Sequence, residues 1–222
     1  MKTFALSLAS TLLLAAVTLS PMAAVTFAGD MPAMADPHAH HHMMPMPKIT
    51  RQTVAYTVPK VTLVRDDGKA VALQEELNDG RPVILSFIYT TCTAVCPLVS
   101  HTLAQLQGKL GADRDRVHLV SISIDPEEDT PARLAAYAKV YDAGPEWQHY
   151  TGTVAASITA QRAFDAYRGD KMNHTPVTFL RAAPGKTWVR IDGFATADDL
   201  LAEVRNMLAQ TESNSEHAHM IP

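Results

Sequence analysis

Pro82–Tyr89 reads PVILSFIY, a nearly continuous apolar run rich in β-branched residues. A strand with one wet face alternates apolar and polar side chains, so an unbroken run predicts a central strand buried on both faces. Val117–Ile124, VHLVSISI, reads as a second central strand. Between them a helix is expected from about Pro97 to Leu110, with Leu98, Leu103, Leu106 and Leu110 along one side. Asp129-Thr130-Pro131 then opens a helix to about Tyr141, with Asp129 as the capping residue and proline in the first turn. Trp147–Thr151 fits a short strand and Val154–Tyr167 another helix. Val177–Arg181 and Trp188–Ile191 read as strands paired across the turn at Pro184-Gly185, and Ala195–Leu208 as a closing amphipathic helix. Upstream, Val61–Val64 and Lys69–Leu73 flank Asp66-Asp67-Gly68, an Asp-Gly turn that predicts a β-hairpin.

Strands alternating with helices, then a hairpin and a final helix, match a thioredoxin-like α/β layout: a central mixed sheet flanked by helices, with an N-terminal β-hairpin extension. The domain is expected over residues 51–210, about 160 residues and enough for one well-formed core. Residues 1–28 read as an export signal: Lys2 is the positive start, Phe4–Val25 the apolar stretch, and Thr26 and Ala28 the small residues before a cleavage site. The alternative is an uncleaved membrane tether, since about 20 apolar residues can span a bilayer. Either way the domain is expected outside the cytoplasm, in the periplasm. Residues 29–50 are rich in proline, methionine and histidine and 211–222 are polar, so both predict unstructured segments. The net charge of −4 lacks the basic field that nucleic-acid binders need.

The segment that carries chemistry is Phe87–Pro97, FIYTTCTAVCP, which holds Cys92 and Cys96, the two cysteines of the chain. They follow the buried strand and sit at the entrance to a helix. Positions i and i+4 on a helical turn share a face, with β-carbons about 5–6 Å apart, so both sulfurs can converge on one ion. Free N–H groups at a helix N-terminus favour the thiolate, which either ligates metal or exchanges disulfides. Soft thiolates select Cu(I), Zn(II) or iron–sulfur clusters. Two cysteines are too few for a cluster held by four, and structural zinc wants four protein ligands. Cu(I) accepts two or three soft ligands, so two thiolates and one imidazole suffice. The plainer alternative is a stabilising disulfide, although so small a ring restricts the unfolded chain little.

CTAVCP, followed by SIDPEEDTP (Ser123–Pro131), WQHYTG (Trp147–Gly152) and His174 ahead of a strand, resembles the Sco/SenC family of thioredoxin-fold copper chaperones of cytochrome oxidase assembly. The resemblance runs from about Gln52 to Leu208. It implies that Cys92, Cys96 and His174 are the copper ligands. One departure is Thr175-Pro176 after that histidine, which looks like the cis-proline loop of thiol-disulfide oxidoreductases. Tyr89 is expected to pack near the cysteines, Trp147 and Trp188 in the core, and His101, His118 and His149 to be structural or solvent-facing.

Upstream, Met31, Met34, His38, His40, His41, His42, Met43, Met44 and Met46 lie close together. Thioethers bind Cu(I) and imidazoles Cu(II), so the tract is a candidate auxiliary copper site, or else a biased linker. His217, His219 and Met220 repeat the pattern weakly. Two functional classes follow. One is a metallochaperone passing copper, as Cu(I) or Cu(II), to an apo-cuproenzyme such as a cytochrome oxidase copper subunit, possible co-workers being a thiol-disulfide reductant or another periplasmic copper carrier. The other is a thiol-disulfide oxidoreductase that reduces the acceptor's cysteines before metallation, with Cys92 and Cys96 as its catalytic pair. CxxxC, in place of the usual CxxC, counts against the enzyme, and Thr175-Pro176 counts for it.

Overall fold

The computed structural model describes residues 49–219, and of residues 212–219 the backbone alone. The export segment and the Met/His tract through Pro47 lie outside the described residues. So does Met220, and the side chains of His217 and His219 are likewise not described.

In chain order the strands are β1 (Thr50–Val54), β2 (Thr62–Arg65), β3 (Ala70–Ala72), β4 (Val83–Ile88), β5 (His118–Ser123), β6 (Trp147–Gly152), β7 (Val177–Arg181) and β8 (Trp188–Asp192). The helices are α1 (Leu73–Glu76), α2 (Val95–Leu110), α3 (Pro131–Val140), α4 (Val154–Ala163) and α5 (Ala197–His219). The strands form one eight-stranded mixed sheet, ordered β1-β8-β7-β4-β5-β6-β2-β3. All six residues of β4 and of β5 are buried, the Ser86 and Ser121 hydroxyls pairing across the two strands at 3.2 Å. The two strands pair in parallel, Val83 opposite His118 through Ile88 opposite Ser123, and β4 pairs antiparallel with β7 on its other side.

The period-two geometry of a strand sorts the side chains of β4 between two cores. Leu85 and Phe87 join Val120, Ile122, Phe164, Phe179 and Trp188 on one face. Ile84 joins Leu103, Leu106, Leu119, Trp147, Leu180 and Val204 on the other, under α2 and α5. Ile88, at the end of β4, enters a third small cluster with Tyr89, Cys96 and Leu134. Both tryptophans are buried as expected, Trp188 edge-on to Phe164 with centroids 5.0 Å apart.

The hairpin of β2 and β3 forms as expected and joins the sheet through β2 and β6. At the opposite edge, β1 pairs antiparallel with β8. Thr50–Val54 shows no apolar alternation because four of its five residues are exposed, so main-chain bonds hold it, with an ion pair from Arg51 to Glu203 at 2.8 Å. The apolar stripe of α5 ends at Met207 and Leu208, the last buried residues, but its backbone stays helical to His219. Among the described residues no helix is long and apolar enough to cross a membrane.

Two expectations are corrected. Asp129 does not cap α3: Thr130 does, its hydroxyl accepting from the Arg133 N–H at 3.2 Å with Pro131 behind it. Asp129 points inward, fully buried, for a reason given below. The Thr175–Pro176 bond is trans, and no peptide bond among the described residues is cis. The Gly193 N–H bonds the Pro176 carbonyl at 3.0 Å, continuing the β7–β8 pairing into this segment and accommodating the intrinsically favoured trans form.

Candidate metal centre

The cysteine loop begins where β4 ends. Thr90 is tied down by Asp129: its N–H donates to both carboxylate oxygens, at 3.3 and 3.2 Å, and its hydroxyl donates to Oδ1 at 2.5 Å. The Ser123 hydroxyl, at the end of β5, donates to Oδ2 at 2.6 Å. A buried carboxylate needs such donors, and here they lock the start of the cysteine loop to the neighbouring central strand. An Asp followed by Thr-Pro is indistinguishable in sequence from a helix cap, which hid this role.

Helix α2 has no capping side chain, because its N-cap residue is Ala94. A helix N-terminus leaves N–H groups without intrahelical partners. Sulfur takes one of them: the Cys96 N–H donates to Cys92 Sγ at 3.4 Å, while the Tyr89 N–H donates to Cys96 Sγ at 3.4 Å. Both cysteines are free thiols, Cys92 half-buried and Cys96 buried against Ile88, Tyr89 and Leu134.

Their environments pull the two thiols apart. Burial works against the Cys92 thiolate, but the N–H groups of Cys96 and Ala94 and the side chains of Cys96 and Tyr89 outweigh it, holding the thiol below its usual value. Burial pushes the Cys96 thiol far up, and the adjacent Cys92 sulfur and the Asp129 charge add to the effect. Burial and the Cys92 sulfur likewise push the Tyr89 phenol up to about 12. At neutral pH the loop therefore offers one accessible, thiolate-prone sulfur and one protonated sulfur behind it. A soft cation can displace that second proton, so the pair fits a thiophilic ion.

His174 lies at the end of a short 3-10 turn, Lys171–Asn173, leading into β7. Its Nε2 is 3.0 Å from the Phe87 carbonyl, near the end of β4 and two residues before Tyr89. Burial holds its pKa below the usual value, with the Arg168 charge acting the same way against the Phe87 carbonyl, so the ring is neutral at pH 7. A neutral ring is the ligating form. The imidazole borders a cleft of about 310 Å³ walled also by Asp125, Ser157, Tyr167, Arg168 and Lys171. Neither cysteine lines that cleft, and among the described residues no three His, Cys, Asp or Glu side chains are gathered closely enough to hold an ion. The structure thus unites Cys92 with Cys96 and puts His174 beside the same strand end, turned onto a carbonyl. His118 and His149 are buried structural groups, and His101 bonds Gln105 on the surface.

The loop before His174 holds groups that sequence reasoning passed over. Lys171 Nζ pairs with Asp125 Oδ2 at 2.5 Å, and the Tyr89 hydroxyl donates to the Met172 sulfur at 3.8 Å. The order of residues around His174 suggested neither contact, since both partners come from distant strand ends.

The model of the SCO1/SenC family matches residues 50–209, which include both cysteines, Asp129 and His174. The chain belongs to the SCO1/SenC family. An SCO1 protein homolog of Bacillus subtilis (strain 168) is 30% identical over 161 residues, covering 68% of this chain and 82% of that protein. The crystal structure of Arabidopsis thaliana ScoI with copper bound superposes with a TM-score of 0.58 at 27% identity, over 69% of this chain and 99% of the other. BsSco, a member of the Sco family of cytochrome c oxidase assembly proteins in which a disulfide switch was identified, superposes at 0.59 with 29% identity, over 70% and 95%. The thioredoxin-like fold expected from the element order is thus the fold of SCO1/SenC proteins.

Proposed function

We propose that this SCO1/SenC protein is an exported copper carrier that holds Cu(I) on Cys92 and Cys96, completes the site with His174, and passes the ion in the periplasm to an apo-cuproenzyme such as a cytochrome oxidase copper subunit. The observation that carries the proposal is the pair of unlike thiols at the uncapped start of α2, linked through the Cys96 N–H at 3.4 Å. Cys92 meets the ion as a thiolate, and Cys96 gives up its proton on binding. His174 joins when its Nε2 leaves the Phe87 carbonyl, which requires the 168–175 loop to turn. Gly169, at φ +77°, supplies a backbone conformation there that other residues rarely adopt. Two relatives fit this reading: ScoI with copper bound, and a Sco protein tied to oxidase assembly.

The deciding experiment mixes the Cu(I)-loaded chain with an apo copper-centre domain of cytochrome oxidase and follows copper on the acceptor. Transfer from wild type and none from Cys92→Ser supports the proposal. No transfer at all, with copper still on the carrier, refutes delivery to that acceptor class. A second reading, a thiol-disulfide oxidoreductase, is favoured by the same asymmetry, since an accessible thiolate beside a protonated partner suits disulfide exchange. It predicts multiple turnovers of disulfide reduction in metal-free buffer.

A further inference from the structure

Met172 is a large side chain that is 73% exposed, on a loop whose other contacts are polar. An exposed methionine needs no explanation by itself. The backbone leading into this one is tied down: its N–H donates to Asp170 Oδ1 at 2.9 Å, and the preceding Lys171 is anchored to Asp125 at 2.5 Å. Its sulfur turns inward to meet the Tyr89 hydroxyl at 3.8 Å.

Tyr89 links three sulfurs. Its N–H donates to Cys96 Sγ at 3.4 Å, and its hydroxyl faces Met172 Sδ at 3.8 Å. The same side chain also favours the thiolate of Cys92. The half-buried thiol and the exposed thioether thus both interact with the one phenol. Met172 is also two residues from His174, so any turn of the loop that carries the imidazole toward the cysteines carries the thioether with it.

We infer that Met172 is a further sulfur ligand for Cu(I), on the solvent side of the Cys92–Cys96 pair, engaged when the 168–175 loop closes over the ion. A thioether is soft and uncharged, and it does not titrate. It adds a donor to Cu(I) without adding negative charge and releases the ion more readily than a thiolate does. Copper leaving for an acceptor then passes from two thiolates, the imidazole and the thioether to the acceptor's own ligands by stepwise exchange, with no change in oxidation state. The inference rests on the copper-carrier reading.

Selenium separates this donor from the cysteines. The full chain is produced with selenomethionine, reduced, loaded with one equivalent of Cu(I), and examined by X-ray absorption at the copper and selenium edges. The expected result is a copper–selenium path that is lost in Met172→Leu and kept when Met43, Met44 and Met46 are all changed to leucine. A path absent from wild type, or persisting in Met172→Leu, overturns the inference and leaves Met172 a surface residue or a contact for the acceptor. If Cys92→Ser retains copper as tightly as wild type, the carrier reading itself fails. If copper depends on Cys92 yet shows no selenium neighbour, only the role of Met172 fails.

Discussion

Cys92 and Cys96 are chemically alike and four residues apart, yet the fold treats them oppositely. Cys92 receives the N–H that a capping side chain would otherwise take, and Cys96 is packed behind Ile88 and Leu134. Because the Cys92 pKa lies below the usual value, its thiolate fraction at any given pH exceeds that of an ordinary cysteine. Alkylation by iodoacetamide should then be half-maximal at a lower pH than for an unperturbed cysteine in the same buffer. Cys96 should stay unmodified in the native protein. Equal labelling of both thiols along one profile would mean that the helix terminus does not separate them. Asp129 is the structural counterpart of this pair. Asp129→Ala strips three donors, the Thr90 N–H, the Thr90 hydroxyl and the Ser123 hydroxyl, of a buried acceptor. The cost expected from urea unfolding is about 3 kcal/mol, at the upper end for such losses. A change under about 0.5 kcal/mol, the level of an ordinary surface substitution, would remove Asp129 from this role.

Among the elements, those with strong local rules were legible in sequence. Strands β4 and β5 were predicted from their apolar, β-branched runs, and the start of α3 from Asp129-Thr130-Pro131, although Thr130 and not Asp129 is its cap. Thr130→Ala should cost about 1 kcal/mol through loss of the cap to Arg133, measured by urea denaturation, whereas Asp129→Asn should not act through the α3 cap. Strand β1 was not legible, since Thr50–Val54 is an exposed edge whose pairing is set by β8 alone. The cysteine pair was legible from spacing and helix position. The orientation of His174 was not, because it follows from a carbonyl of β4 and an ion pair to Asp125, neither of which leaves a trace in residue order. That ion pair holds the loop in its present place. Asp125→Ala should therefore raise amide hydrogen exchange across residues 170–174 while leaving exchange in β4 unchanged. Unaltered exchange in the loop would show that other bonds secure it.

For the whole molecule, we propose that the folded domain and the tract ahead of it divide the work of handling copper. The tract from Met31 to Met46 carries both thioethers and imidazoles, donors suited to both oxidation states. Tethered to a domain with a defined thiol pair, it would raise the local copper concentration seen by that site. Deletion of residues 29–47 should lower the copper stoichiometry measured by equilibrium dialysis and leave the tight domain site intact. Unchanged stoichiometry would make the tract a linker. The central claim remains that the SCO1/SenC domain holds Cu(I) by two thiolates and one imidazole. Its most direct measurement is competition for Cu(I) against a calibrated chelator, using the reduced full chain, Cys92→Ser, Cys96→Ser and His174→Ala. Each cysteine change should abolish the tight site, and the histidine change should weaken it by at least tenfold, about 1.4 kcal/mol. Wild-type affinity in His174→Ala, or a tight site surviving in either serine variant, would contradict it.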